Sequence, residues 1–186
     1  ATDNRLTLIP RAAGTSLAGQ VVGHGIVVDI SRYFTRILEV NKQEKWVRVQ
    51  PGVIRDDLNH YLKSFGLMYG PETSTASRAM IGGMLGNNSC GLHSIVWGSA
   101  REHVLEVKAI LSDGSEVEFG TSLLNGHETG FKQDIYTKLE KLLGDPDNQQ
   151  LIRDNFPQVN VHRRNTGYAL DSLLATTTAT RIVSGQ

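Results

Sequence analysis

The sequence predicts an α+β protein. Three observations carry that prediction. The first fifty residues hold several short β-branched runs, an Asp-Gly turn joins two apolar runs between 104 and 119, and the remainder shows helical spacing. Strands first, then a hairpin, then helices is an order that favours α+β over a parallel sheet.

Residues 6–9 (Leu-Thr-Leu-Ile) form an apolar run closed by Pro10, as a short buried strand does. Residues 25–30 (GIVVDI) and Ile37 to Val40 are two further strands. Trp46 to Gln50 alternates apolar and polar with period two, and Pro51-Gly52 ends it. Val53, Leu58, Leu62 and Phe65 then fall near helical spacing, with charged and polar residues between them and Gly66 as a C-terminal stop. Met68 to Pro71 reads as a turn, and residues 81–98 as a glycine-dense loop. Val104 to Leu111 and Glu116 to Phe119 are strands joined by Ser112-Asp113-Gly114-Ser115, a hairpin signal. Phe131, Ile135, Leu139, Leu142 and Leu143 make an apolar helical stripe stopped by Gly144. Asp145-Pro146-Asp147 opens a second helix with proline at its start, and Thr166 to Leu174 is a third. Residues 175–180, low in complexity, read as a loop.

Composition excludes several function classes. With 186 residues, 39% apolar and 20% charged, the chain suits one globular domain, or one with an elaboration. Nineteen basic and nineteen acidic side chains balance, so a dedicated nucleic-acid binder, with its basic excess, is not expected. The single cysteine rules out a disulfide framework, and any zinc or iron–sulfur centre built from cysteines of this chain alone. His24, His60, His103, His127 and His162 are scattered without metal-ligand spacing, so no metal is expected. No run reaches the length of a membrane span and no leader opens the chain. A cytoplasmic setting follows as the expectation, with attachment at the periphery of the inner membrane as its variant. Starting without methionine and stopping abruptly at Gln186, the chain reads as a fragment.

Two loops of small residues carry the chemistry. In the first, Pro10 to Gln20, no bulky side chain other than Arg11 precedes Leu17. Such a loop can turn several backbone N–H groups toward one phosphate, with the Thr15 and Ser16 hydroxyls as further donors. It is neither of two familiar phosphate loops. Gly14 and Gly19 have the P-loop spacing, but Gln20 stands where lysine must be, and GxGxxG is absent. A surface turn stocked with small residues is the alternative, and the loop alone leaves both open. The second candidate joins Pro71-Glu72-Thr73-Ser74 to Ile81 through Gly91. Its glycines let backbone lie against a flat ligand, and Asn87, Asn88 and Ser89 offer polar groups to a heterocycle edge. Tight packing between elements is the alternative use of such glycines. The co-occurrence of both loops points to a large dinucleotide in an uncommon fold.

PRAAGTSLAGQ, GIVVDISR, VRVQPGV, GPETS, IGGMLGNNSCGLHS and RRNTGYALD occur in that order. Together they resemble the FAD-binding domain of the vanillyl-alcohol oxidase and p-cresol methylhydroxylase (PCMH) superfamily. The branch resembled is the FAD-linked D-2-hydroxyacid dehydrogenases, with the glycolate oxidase flavoprotein subunit, D-lactate dehydrogenases and D-2-hydroxyglutarate dehydrogenases. Ordered motifs spanning about residues 5 to 175 are far more specific than any one alone.

The resemblance implies a PCMH-type FAD-binding domain over 1–186, built as two α+β subdomains and truncated at both ends. The family carries a strand–helix unit before the position of Leu6, and a substrate cap beyond the place where Val183-Ser184-Gly185-Gln186 ends. It implies that Arg11, Ala12, Ala13, Gly14, Thr15, Ser16, Leu17 and Gln20 wrap the FAD diphosphate. Pro71, Glu72, Thr73, Gly82, Gly83, Asn87, Asn88, Ser89 and Gly91 then line the stretch from adenosine to flavin. The implied reaction is oxidation of a small D-2-hydroxyacid by hydride transfer to FAD. The electron acceptor is unspecified, and iron–sulfur domains or subunits are associates of the branch. Alternatives on the same fold are an oxidase or reductase of another substrate class, or a non-catalytic flavin or electron-transfer subunit.

Four further positions bear weighing. Some superfamily members tether flavin through histidine, but the branch resembled binds FAD untethered, so His93 reads as a polar contact. Cys90 reads as a small packed residue rather than a reactive thiol. Of Arg163 and Arg164, one reads as a solvated charge at a helix entrance and the other as a clamp for a substrate carboxylate. No catalytic residue is assigned.

Overall fold

A computed structural model of the chain describes residues 4–120, 129–158, 160–161 and 168–176. They fall into two units, Ala1–His103 and Val104–Gln186.

In the first unit, β1 (Leu8–Arg11) and β2 (Ile26–Asp29) pair in parallel, with Leu8 opposite Ile26 and Arg11 opposite Asp29. The strand-first order favours antiparallel neighbours, and this pair differs because residues 12–25 cross over between its two strands. Pro10, predicted to close the strand, lies inside it. The Thr7 and Arg11 carbonyls accept from Ile26 and Ile30, so odd-numbered residues turn their backbone toward β2. Pro10 faces away, where a missing N–H loses no ladder bond.

Next, β3 (Ile37–Asn41) and β4 (Trp46–Val49) form an antiparallel hairpin. Helix α1 (Arg55–Leu62) continues into a 3-10 turn at Lys63–Phe65, and Gly66, at φ +70°, ends it as predicted. Val53, Leu58 and Leu62 are buried together against Ile37, Val40, Val47 and Val49 of the hairpin. The predicted glycine-dense loop holds two short helices, α2 (Ile81–Gly86) and α3 (Ser94–Trp97), followed by a 3-10 turn at Ala100–His103.

In the second unit, β5 (Glu106–Ile110) and β6 (Glu116–Gly120) form the predicted hairpin. Gly114 takes φ +88°, and Asp113 accepts from the Ser115 amide at 3.0 Å and its hydroxyl at 2.6 Å. Those bonds, the hydroxyl first, hold the Asp113 carboxyl below its ordinary value. Helices α4 (Gly130–Gly144), α5 (Pro146–Asn155) and α6 (Leu170–Thr176) follow, with α5 packed on both α4 and α6. Asp145 caps α5 by accepting from the Asp147 amide at 2.9 Å, with Pro146 in the first turn.

Two further details depart from expectation. Leu142 is exposed, and the buried face of α4 instead includes Lys132, whose ammonium donates to the Glu118 carbonyl at 2.6 Å and sits over the Phe119 ring. Helix α6 runs through Ala175 and Thr176, assigned above to a loop, because alanine favours a helix and threonine opposes one only weakly. Thr166 and residues 177–180 lie outside the described residues.

Candidate functional site

The crossover between β1 and β2 is the first loop. Gly14 and Gly19 adopt φ +64° and +84°, the left-handed turns that a side chain opposes. The Arg11 guanidinium folds back and donates to the Val21 carbonyl, closing the loop on itself. The Ser16 hydroxyl donates to the Gln20 side-chain oxygen, so Gln20 is engaged within the loop, while Leu17 stands fully exposed. Among the described residues, the backbone N–H groups from Ala13 to Leu17 donate to no backbone carbonyl. A run of free N–H groups beside two hydroxyls and a guanidinium fits an anion with many acceptor oxygens. Asp29, opposite Arg11, is held below its ordinary value by the Ser31 hydroxyl and amide.

The second segment is fastened from beneath by α1. Asn59 brackets Tyr69, accepting from its amide at 2.7 Å and donating to its carbonyl at 3.1 Å. The Arg55 Nε donates to the carbonyl of Pro71 at 3.1 Å, and Pro71 is itself fully buried. Burial pushes the Tyr69 hydroxyl up to about 12, against a smaller opposing pull from the Arg55 charge. Beyond Pro71 the segment reaches outward in two directions. The Glu72 carboxylate meets His93 Nδ1 at 2.5 Å, and the Thr75 hydroxyl donates to that of Thr15 at 3.3 Å. Thr73 lies 3.4 Å from Thr75, hydroxyl to hydroxyl.

Helix α2 joins the two loops. Glycine is a poor helix former, and α2 contains three. Packing accounts for two of them. A Cβ on Gly82 would lie 2.5 Å from the Pro51 Cβ, and one on Gly83 would lie 3.2 Å from the Ala12 Cβ. Asn88, at φ +45°, turns the chain after α2, and its side-chain oxygen accepts from the Arg101 amide at 3.0 Å. The Asn87 amide reaches the Ser89 hydroxyl at 3.3 Å, and the Ser89 amide donates back to the Met84 carbonyl at 2.8 Å. At Gly91 the backbone presses on Glu72, where a Cβ would fall 2.6 Å from Cγ. Cys90 between them is half-buried.

The two predicted loops are thus neighbours, through Ala12 with Gly83 and Thr15 with Thr75. Glu72, Gly91 and His93 meet, as do Asn87 and Ser89. Leu17 points away from this cluster, and Arg163 and Arg164 lie outside the described residues. Three contributors carried no site signal in sequence, Arg55, Asn59 and Arg101, whose bonds reach partners 10 to 16 residues along the chain. Thr75 had a faint one, the density of hydroxyls after Glu72.

Comparison with known proteins adds a second line. A family model described as FAD binding domain matches residues 1–120. The chain is 41% identical over 174 residues to D-2-hydroxyglutarate dehydrogenase of Escherichia coli (strain K12), covering 89% of this chain and 16% of that protein. It is 32% identical over 123 residues to glycolate oxidase subunit GlcD of Bacillus subtilis, covering 66% of this chain and 26% of that one. The chain therefore spans only about a sixth to a quarter of these relatives. In fold, it resembles an alkyldihydroxyacetonephosphate synthase at TM-score 0.59 and 20% identity, over 73% of this chain and 24% of that chain. It also resembles 6-hydroxy-D-nicotine oxidase from Arthrobacter nicotinovorans at TM-score 0.57 and 23% identity, over 66% of this chain and 26% of that chain.

Proposed function

The chain belongs to the FAD binding domain family, and from that premise we propose that it holds FAD across its two adjoining loops as part of a D-2-hydroxyacid oxidoreductase. The observation that carries this reading is the junction of the loops, Thr75 on Thr15 and Gly83 on Ala12. Sixty residues apart in sequence, Thr15 and Thr75 share a hydrogen bond that brings the two loops side by side.

Each part of the chain then has a task. Backbone N–H groups of Ala12 to Leu17, with the Thr15 and Ser16 hydroxyls, take the diphosphate oxygens. The Arg11 guanidinium, within reach of the same loop, supplies positive charge. Pro71, Glu72 and Thr73, with Gly82, Gly83, Asn87, Asn88, Ser89 and Gly91, line the rest of the dinucleotide. Asn59 and Arg55 tie the Tyr69–Pro71 end of that lining to helix α1. When bound, FAD supplies the acceptor for the α-carbon hydride of the hydroxyacid. One of Arg163 and Arg164 pairs with the substrate carboxylate.

The substrate class is supported by the names of the relatives, D-2-hydroxyglutarate dehydrogenase first among them. No helix among the described residues is long and apolar enough to cross a membrane. We place the activity in the cytoplasm or at the inner-membrane periphery, with electrons leaving through iron–sulfur domains or subunits outside this chain.

Titration of the full-length protein with FAD, followed by flavin fluorescence, tests the cofactor, with saturation at one flavin per chain expected. Anaerobic mixing with D-2-hydroxyglutarate, D-lactate and glycolate in turn tests the substrate class, with flavin bleaching expected for at least one. A folded protein that takes up no FAD sinks the proposal, and bleaching by none of these acids sinks its substrate half.

A further inference from the structure

We infer that His93 is a positioning residue for the cofactor: through Glu72 it fixes the loop that follows α2 against the segment Pro71–Thr75. This deepens the flavin reading and rests on it.

The two segments lie 21 residues apart in sequence and meet at one place. Gly91 packs directly on Glu72, where a Cβ would come within 2.6 Å of Cγ and 2.8 Å of the carbonyl oxygen. That contact fixes the stem of Glu72 and aims its carboxylate toward the start of α3. There His93 Nδ1 meets it at 2.5 Å. His93 occupies the N-cap position of α3 but makes no capping bond with its side chain, so its ring is free to reach across. The neighbouring side chains turn inward to their own loop instead. The Ser94 hydroxyl accepts from the Gly91 amide at 2.7 Å, and the Asn88 oxygen accepts from the Arg101 amide. Glu72 and His93 thus join two groups of residues that must face one dinucleotide from different stretches of chain.

Exposure separates positioning from stability. The His93 side chain is 61% exposed and that of Glu72 28%. Truncating the imidazole opens no cavity, so the folded unit keeps its packing. What is lost is the alignment of the two linings, which affects a ligand that touches both. Partly exposed polar contacts of this kind are modest in strength, and a roughly threefold to tenfold change in affinity is the scale expected.

The test uses the full-length protein, FAD as the probe, and the variants His93→Ala, His93→Arg and Glu72→Ala. His93→Ala is expected to raise the FAD dissociation constant roughly threefold to tenfold and to alter the visible circular dichroism of the bound flavin. The melting temperature of the flavin-free protein stays at the wild-type value. His93→Arg, which keeps an N–H donor opposite Glu72, regains most of the affinity. Glu72→Ala shows at least the same loss, and adding His93→Ala to it adds little. Wild-type affinity and spectrum in His93→Ala overturn the inference, as does a loss matched by an equal fall in flavin-free melting temperature. A wild-type protein that takes up no FAD overturns the flavin reading beneath it, a result distinct from either.

Discussion

Gly82 and Gly86 stand one turn apart in α2, yet a methyl group added to each meets opposite surroundings. At position 82 it would sit 2.5 Å from the Pro51 Cβ and 3.1 Å from the Pro51 carbonyl oxygen, which already accepts from the Gly82 amide at 2.8 Å. At position 86 nothing lies within 4 Å. Gly82→Ala is therefore expected to destabilise the protein by about 1–3 kcal/mol through overpacking. Gly86→Ala gains up to about 1 kcal/mol from helix propensity. Urea denaturation of both variants checks the pair, and equal shifts would refute the packing account of Gly82. Tyr69 gives a pH prediction of the same local kind. Burial raises its hydroxyl from an ordinary 10.0 to about 12, so the folded chain holds this proton more tightly than the unfolded one. The contribution is fully present below about pH 10 and is lost as pH rises toward 12. Tyr69→Phe has no proton to lose there. Its stability relative to wild type is expected to stay constant up to about pH 9 and to improve by about pH 11. Urea midpoints that run parallel across that range would remove Tyr69 as the cause.

Elements whose causes are local were legible in the sequence, and those held by distant contacts were not. The β5–β6 hairpin follows from Asp113 and Gly114, and the start of α5 follows from Asp145 and Pro146; in each case the determinants lie within four residues. Helix α1 was visible because Leu58 and Leu62 repeat at its period, and Gly66 supplies the left-handed stop. Helix α2 was hidden. Its glycines argue against a helix by propensity, and what outweighs them is the fit of Gly82 on Pro51 and of Gly83 on Ala12, about 30 and 70 residues away. Lys132 was hidden for a related reason. A lysine on the buried face of α4 is sensible only once the Glu118 carbonyl and the Phe119 ring are beside it. The candidate site divides the same way. The two loops were legible as compositions, Gly14 and Gly19 as turns and Asn87 to Ser89 as a polar cluster. Their junction was not, because Thr15 and Thr75 are 60 residues apart, and neither residue type announces the other.

At the scale of the molecule, the candidate site belongs to the unit Ala1–His103, whose apolar core lies around α1 and the β3–β4 hairpin. Within this unit the first loop is joined to the second through Ala12 on Gly83 and through Thr15 on Thr75. A ligand spanning both loops must therefore report at two levels in hydrogen exchange. Amides that exchange only when the unit unfolds gain by mass action, about 2.7 kcal/mol at a hundredfold excess of FAD over its dissociation constant. That corresponds to roughly hundredfold slower exchange for residues such as Leu58 and Leu62. The amides of Ala13 to Leu17 start from a different place. Without a backbone acceptor among the described residues, they exchange freely in the flavin-free protein. If diphosphate oxygens become their acceptors, they pass from unprotected to protected, while the exposed Asp113–Gly114 turn, in the other unit, serves as a reference. Exchange measured with and without saturating FAD is expected to show the new protection at Ala13 to Leu17. General slowing at Leu58 and Leu62 with no change at Ala13 to Leu17 would mean that FAD binds the unit without using this loop, and the assignment of the diphosphate to it would fall.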